Sequence, residues 1–499
     1  MDFPAGRTLT HADFNRDERV SCDVAVVGSG AGGAAVAWAL SALGLRVAVL
    51  EEGRRFEPEE LVPKPSWAYR HVYAERSTRI MMGSAFIPLP GGRAVGGSTL
   101  LNSAICFRTP PKLLAQWKRE LGIDWADPTT LNPVFEEVEK EIGVAKTDPT
   151  QARGNNLIFK LGADRLGLRG DFISRNAPGC VGCGLCNLGC PIGGKGSVDR
   201  NLVPTALERG AALFTSARAS RVTVRKGAAV GLEAEILDPL SEQPMRRLAI
   251  DAKKVFLCGG AIGTPMFLLK QGLANSSGMV GKNLHVHTGT GVIARFPQLI
   301  DAWDGVTQGY YVELEDSILE TFSSTPDLYY MQSECFTKPL ETLRHLASCG
   351  CMIGDESAGQ VKIGMNGRSA ISYEVNASDR RRHARGCRMI AKVFFAAGAV
   401  EVQLPFHGGS AVSDPAEFDR LCRDDVPAQA LTLYASHPMG TCRMGADAKS
   451  TVVAPTAETH DVRNLYIADA SIFPTALGVN PQITVMSSAI TLARRAARS

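Results

Sequence analysis

The sequence predicts an α/β fold built in two parts: a βαβ-based domain drawn from separate stretches of the chain, and a second, α+β domain that interrupts it. Three observations carry this. Asp23-Val24-Ala25-Val26-Val27 is an apolar run of strand composition, Ala31 to Leu43 is rich in Ala and Leu at helix length, and Arg46 to Leu50 is a second strand. Gly28-Ser29-Gly30-Ala31-Gly32-Gly33 stands between the first strand and the helix. Short β-branched runs recur at Val255-Phe256-Leu257 and Leu465-Tyr466-Ile467, each followed by small residues, so pieces of one domain lie in the middle and near both ends. No repeat or low-complexity linker suggests another division. The boundaries that follow are 15–110, 180–293 and 431–499 for the first domain, and 111–179 with 294–430 for the substrate side.

The 499 residues, 45% of them hydrophobic, provide for a substantial core. Lys and Arg total 54 against 51 Asp and Glu, and a net charge of +3 gives no field that would recruit nucleic acid or acidic lipid. The one dense basic run, Arg380 to Arg385, lies between a helix start at Ser378-Asp379 and a stop at Gly398, and is expected to be a solvated helix face. Val24 to Leu45 has no charged residue and approaches bilayer-spanning length, but its glycines point to a nucleotide turn, so no integral membrane segment is expected. The first twenty residues lack the apolar centre of a secretory signal, and a cytoplasmic location is expected. Thirteen cysteines over this length do not resemble an export disulfide framework.

The glycine run fits G-x-G-x-x-G in its proper strand-to-helix context. Gly28 permits the tight turn, Gly30 lets backbone approach a pyrophosphate, Gly33 lets helix and strand pack closely, and the helix opening at Ala31 offers free N–H groups to phosphate. Glu51, ending the second strand, stands at the spacing of an acidic residue that binds ribose hydroxyls. This Rossmann-like fingerprint alone does not separate FAD from NAD.

Three further blocks narrow it. Gly92-Arg93-Ala94-Val95-Gly96-Gly97-Ser98-Thr99-Leu100-Leu101-Asn102, Gly260-Ala261-Ile262-Gly263-Thr264-Pro265, and a closing block with Ser436-His437-Pro438-Met439-Gly440-Thr441, Asn464 to Ala470 and Gly478-Val479-Asn480-Pro481 follow in order. Together they resemble the glucose–methanol–choline (GMC) oxidoreductases over about residues 20–290 and 370–497, nearest the long-chain alcohol oxidase and cholesterol-oxidase-like branch. The resemblance implies an FAD-binding domain and a substrate domain built on an antiparallel sheet. It also implies that Gly96, Gly97, Ser98 and Asn102 contact flavin or diphosphate, that Asp469, beside Ala470, meets the ribityl or diphosphate region, and that His437 and Asn480 face the substrate hydroxyl. Some members tether FAD through a histidine in the first of these blocks. Ser98-Thr99-Leu100-Leu101 supplies none, so FAD is expected to be noncovalent.

Oxidising an alcohol removes a hydroxyl proton and a hydride. A neutral imidazole of ordinary pKa, about 6.5, accepts that proton near neutrality, which makes His437 the expected base. Asn480 can donate to the developing alkoxide. It also precedes Pro481 in the order of an N-cap and first helical residue, so a plain capping role is the alternative. The helix from Pro481 would aim its positive end at the flavin. His285 and His287 are expected to pack or hydrogen-bond.

Cys180-x-x-Cys183-x-x-Cys186-x-x-x-Cys190-Pro191 reproduces the bacterial ferredoxin spacing, although no second run supplies its partner cluster. An iron–sulfur cluster, a zinc site and a metal-free loop beside the flavin all remain open. Relatives in this branch often carry such a stretch without a cluster, followed by Gly-x-Lys as in Gly193-Gly194-Lys195, which falls short of a phosphate-binding loop because Gly196 follows the lysine.

The expected function is FAD-dependent oxidation of a bulky, mostly apolar alcohol to an aldehyde or ketone, with dioxygen or another acceptor re-oxidising the flavin. Trp303, Tyr310, Tyr311, Phe322, Tyr329, Tyr330 and Met352 are candidate substrate contacts that could equally be core. A redox-neutral lyase or decarboxylase on the same scaffold, a dehydrogenase passing electrons through an iron–sulfur cluster, and an electron-relay subunit are the alternatives.

Overall fold

Val24 to Val27 pair in parallel with Val47 to Leu50 on one side and with Lys254 to Leu257 on the other, and Leu465–Ile467 adds to the far side of Val255 to Leu257. The computed structural model describes residues 1–327 and 340–498; Tyr329 and Tyr330 lie outside them. The sheet runs Thr8–Leu9, Ala212–Phe214, Val47–Leu50, Glu18–Val27, Pro244–Leu257, Ala228–Leu237, Ala217–Arg225, its last three strands antiparallel. The fourteen-residue strand Pro244–Leu257 serves both halves. Its parallel neighbours end in register with it, so Gly28, Glu51, Cys258 and Ala468 emerge along one edge, where α/β sheets bind ligands.

Residues 32 to 41 of helix Ala31–Ser41 are all buried, and this helix packs against Gln482–Ala496, itself buried along most of its length. A helix enclosed on every side needs no polar face, which accounts for the uncharged stretch Val24 to Leu45. Among the described residues no helix is long and apolar enough to cross a membrane.

A second, antiparallel sheet runs Ala411–Val412, Glu401–Gln403, Gly289–Arg295, Leu346–Met352, Ile318–Thr321, Tyr310–Glu313, Gly170–Phe172. Helices Pro149–Arg165 and Ala377–Ala397 cover it around a separate core that includes Phe159, Phe296, Val312, Phe394 and Phe418. A small mixed sheet, Lys282–Leu284, Gly359–Ile363, Ser369–Tyr373, Ile80–Gly83 and Ile87–Pro88, bridges early and late chain.

Two features differ from the sequence reading. The stretch 111–179 divides between the cores: Leu114, Trp117, Trp125, Leu131 and Phe135, from helices Pro111–Leu121 and Pro128–Glu141 and the turn between them, join the first, and Pro149–Arg165 with Leu168 and strand Gly170–Phe172 joins the second. The apolar faces of those first two helices meet the C-terminal helix, which sequence distance conceals. The basic run is also not wholly solvated. Arg381 and Arg385 are exposed, but the helical turn carries Arg382 and His383 inward, where Arg382 pairs with buried Asp379 and donates to the Gly354 carbonyl at 2.7 Å. Asn376 caps that helix by accepting from Asp379 N at 2.8 Å, two residues ahead of the expected start.

Gly33 is the tightest point of the first core: a Cβ there would stand 1.8 Å from the Gly28 carbonyl oxygen, and one at Gly32 would stand 2.1 Å from that of Ala468. Gly33→Ala should therefore cost about 3 kcal/mol or more of stability. Gly263→Ala, in an ordinary helical conformation with nothing within 4 Å, should be neutral or gain about 0.5–1 kcal/mol. Denaturant midpoints of the two variants check this, and equal midpoints would refute the close approach.

Candidate active site

The four glycine-bearing blocks are physically joined. Ser29 donates to Glu51 Oε2 from its N–H at 3.0 Å and its hydroxyl at 2.7 Å, Gly53 N donates to Glu51 Oε1 at 2.9 Å, and the Ser29 hydroxyl accepts from Gly96 N at 3.2 Å. Burial pushes the Glu51 carboxyl up, and these three donors oppose the shift. Gly97 lies at φ +53 against Gly30, where its Cβ would stand 2.9 Å from the Gly30 Cα. The Ser98 hydroxyl accepts from Gly92 N at 3.0 Å. Asp469 accepts from Gly260 N at 2.8 Å, Thr264 Oγ1 at 2.6 Å and Ser471 N at 2.8 Å, and the Ala470 carbonyl accepts from Gly440 N at 3.0 Å. Asp469 thus ties the second block to the closing one, and these internal donors already use both its oxygens.

The residues present fit a flavin dinucleotide. Helix Ala31–Ser41 begins after Gly30 with no side chain capping it, because Ser29 is turned toward Glu51, so its first N–H groups stay available to a phosphate. Asn102 donates to Gln482 Oε1 at 2.9 Å and accepts from Ala104 N at 3.0 Å, which locks the first block to the start of the C-terminal helix.

That helix begins at Gln482, with Pro481 in the flanking position and no side-chain cap. Asn480 is therefore not spent on capping, and its Oδ1 is buried without a hydrogen-bond partner. The expected order of Asn480 as cap and Pro481 as first residue is shifted by one.

His437 meets His287 because of strand register. His285 and Met439 form an antiparallel bridge, their N–H groups donating reciprocally at 3.0 and 2.8 Å, which sets His287 opposite His437. The two Nδ1 atoms lie 3.4 Å apart, with the rings nearly perpendicular at 75°. His287 Nε2 accepts from both Leu477 N and Gly478 N at 2.9 Å. An acceptor nitrogen carries no hydrogen, and burial beside two other imidazoles holds His287 well below the ordinary pKa, so the ring is neutral with its hydrogen on Nδ1. His287 then donates to His437 Nδ1. Burial lowers His437 to about 4, and the neutral ring keeps its hydrogen on Nε2.

His287 adopts φ +50, a left-handed conformation that costs a non-glycine residue about 1 kcal/mol or more. Buried Asp355 holds it there, accepting from Val286 N at 3.0 Å and His287 N at 2.9 Å as well as from Tyr373. The expectation of hydrogen bonding for His287 thus understates its place, since it sets the tautomer of His437.

Glu320 stands beside Asn480, and sequence reasoning missed it. It lies on Ile318–Thr321 of the second sheet and is buried, with Oε2 accepting from Gln308 Nε2 at 3.2 Å and Oε1 lacking a partner. Burial raises its pKa to about 7 against the opposing hydrogen bonds of Asn480 and Gln308. Its signal was a lone carboxylate in the apolar run Ile318-Leu319-Glu320-Thr321. Of the proposed substrate contacts, Tyr310 and Met352 are core, Trp303 packs on the second core, and Tyr311 packs on Phe107. Phe322, two residues from Glu320, stacks on Tyr434 at 6.2 Å.

The cysteine run is a loop beside these elements. Arg175 donates to Cys186 Sγ at 3.2 Å and Cys180 Sγ at 3.7 Å, so two of the four sulfurs already face a protein cation. Among the described residues no three His, Cys, Asp or Glu side chains converge to hold a metal ion, so the expectation of iron–sulfur or zinc ligation by Cys180, Cys183, Cys186 and Cys190 is not supported. Lys195 Nζ, buried, donates to the carbonyls of Leu100 at 2.6 Å, Asn102 at 2.9 Å and Cys186 at 3.1 Å, pinning the loop to the first block.

A family profile described as GMC oxidoreductase matches residues 28–289, and its C-terminal counterpart matches 355–489. An uncharacterised GMC-type oxidoreductase of Mycobacterium tuberculosis is 34% identical over 94% of this chain and 75% of its own. A long-chain-alcohol oxidase of Arabidopsis thaliana is 30% identical over 96% of this chain and 68% of its own. Pyridoxine 4-oxidase from Mesorbium loti superposes with a TM-score of 0.73 over 96% of this chain and 99% of its own, at 18% identity. A variant of Aspergillus oryzae formate oxidase superposes with a TM-score of 0.73 over 95% and 98%, at 16% identity. With two matching profiles laid over the joined glycine blocks and the segments that carry His437 and Asn480, the chain belongs to the GMC oxidoreductases and is an FAD-dependent oxidoreductase.

Proposed function

We propose that this enzyme oxidises a bulky, largely apolar primary or secondary alcohol to an aldehyde or ketone, with dioxygen as the final electron acceptor and FAD held noncovalently. The observation that carries the reading is a pair of buried polar atoms, Asn480 Oδ1 and Glu320 Oε1, that have no partner in the protein, with the half-buried His437 as the donor this reading sets beside them. Buried polar atoms without partners mark a place where a polar ligand belongs. Phe322 stacked on Tyr434 near Glu320 supports an apolar substrate body, as does the relative named a long-chain-alcohol oxidase. Its being an oxidase supports dioxygen.

FAD, when bound, supplies the hydride acceptor. Gly28, Gly30, Ala31, Gly33, Glu51, Gly96, Gly97, Ser98, Asn102, Asp469, Ala470 and Pro481 are the residues that would border it. His437 donates its Nε2 hydrogen to the alcohol oxygen and orients the hydroxyl, because the bond from His287 leaves that nitrogen no freedom to accept. Glu320 takes the hydroxyl proton. A carboxyl raised to about 7 can take the hydroxyl proton near neutral pH and return it to water between turnovers. Asn480 holds Glu320 and keeps its own carbonyl oxygen toward the ligand.

The base assignment has a sign that can be read. With Glu320 as acceptor, kcat/KM rises with pH through about 7 and levels above it, and Glu320→Gln loses that limb together with about a hundredfold or more in kcat. With His437 as acceptor, the limb would fall near 4 and survive Glu320→Gln. His437→Ala should lower kcat by about a hundredfold while leaving the pH limb in place. Stopped-flow pH profiles of the three proteins decide between the assignments.

An alcohol oxidase also transfers reducing equivalents to its flavin without oxygen. Anaerobic mixing with a series of alcohols should bleach the oxidised flavin absorbance, fastest for long or bulky apolar members. An oxidised spectrum that persists with every alcohol while product still accumulates would establish a redox-neutral lyase instead.

A further inference from the structure

The thiols of the cysteine run have no part in the chemistry above, yet they are placed as a group. Cys180, Cys183, Cys186 and Cys190 all line one shallow recess, with Arg175 and Lys195 in its wall. Arg175 is buried at 4% exposure, and two nitrogens of its guanidinium reach two different sulfurs, Nη2 to Cys186 Sγ at 3.2 Å and Nη1 to Cys180 Sγ at 3.7 Å. Cys180 Sγ also accepts from Gly182 N at 3.4 Å. Arg175 Nε is fixed to the Ser103 carbonyl at 3.0 Å, so the fork cannot swing away. A buried guanidinium held on two sulfurs favours negative charge there and offers donors to an oxygen leaving group. Cys183 is more exposed but has no cation on its sulfur.

We propose that Cys186 and Cys180 are a peroxide-reactive dithiol that closes to a disulfide, with hydrogen peroxide as the oxidant. The Cys186 sulfur attacks one peroxide oxygen, the O–O bond breaks, and hydroxide leaves and is protonated to water, giving a sulfenic acid. The Cys180 sulfur then attacks the Cys186 sulfur, the S–O bond breaks, and a second water leaves with the Cys180 proton. Two thiols and one hydrogen peroxide become one disulfide and two waters, the sulfurs giving up the two electrons that the peroxide gains. The step has a structural consequence. The sulfurs that Arg175 holds change their charge and position, and Arg175 and Lys195 also bond the carbonyls of Leu100, Asn102 and Ser103 at the end of the first FAD-binding block.

The test uses the reduced, FAD-loaded enzyme treated with a small excess of hydrogen peroxide, quenched with catalase, alkylated and mapped by peptide mass. The expected product is a Cys180–Cys186 disulfide formed before any other cysteine is modified. In Cys180→Ser the reaction should stop at Cys186 sulfenic acid, captured by dimedone, and in Arg175→Met the loss of the Cys186 thiol should slow at least tenfold. Oxidation that begins at exposed Cys183 with Cys186 intact would overturn the proposal. So would stoichiometric iron or zinc on these thiols in the reduced protein, or an Arg175→Met protein of unchanged circular dichroism that reacts at the original rate.

Discussion

The site depends on one piece of strand pairing. Val255 to Leu257 lies between Ala25 to Val27 and Leu465 to Ile467, both parallel to it, and this brings residues from the start, middle and end of the chain to a single sheet edge. The helix after the first strand sits almost in contact with the turn before it, a closeness that Gly33 permits and a Cβ would prevent. Sheet and helix then leave their C-terminal and N-terminal ends side by side, where backbone N–H groups and oriented dipoles face the cofactor position. Glu51, Ser29 and Gly96 stitch the first block to the strand ends, and Asp469 stitches the second to the last.

What was legible in the sequence is what local chemistry determines. The βαβ unit, the glycine turns and the later strands at Val255 and Leu465 are marked by residue types with few other uses, and they pair as those types require. His437 and Asn480 could be picked out because fixed motifs surround them. Glu320 could not, because it belongs to an antiparallel strand whose register against Tyr311 and Gly350 no local pattern encodes. His287 likewise acquires its meaning from a bridge between residues 285 and 439. The basic run misled for a related reason: so dense a run of arginine suggests a solvated face, but a helix turns every residue to a different side, and Arg382 and His383 fall on the inner one.

Buried cations do the joining outside the active site. Arg175 and Lys195 sit under the cysteine loop at 4% and 3% exposure, and between them they hold the carbonyls of Leu100, Asn102, Ser103 and Cys186. Such charges are tolerable only when every donor is directed at an acceptor. Burial lowers the Lys195 pKa and nearby thiols and Asp199 raise it, whereas Cys186, which burial alone would push up, is brought below the usual thiol range by Arg175 and Lys195. The ferredoxin-like spacing thus sets two of its four sulfurs on one buried arginine, an arrangement that differs from a shared metal centre.

The division of labour at the site follows from burial acting in opposite directions on two kinds of acid. Removing an imidazole from water disfavours its cation, and His437 falls to about 4; removing a carboxyl from water disfavours its anion, and Glu320 rises to about 7. Had both groups been exposed, histidine would be the stronger base. In this pocket their order is inverted, so near neutral pH the carboxylate accepts a proton more readily than the imidazole does. The hydrogen bonds point the same way, since two backbone N–H groups on His287 Nε2 force hydrogen onto Nδ1, from there toward His437 Nδ1, and leave His437 a donor at its open nitrogen. Desolvation and tautomer are independent constraints, and they agree in supporting the proposed roles of His437 as donor and Glu320 as proton acceptor.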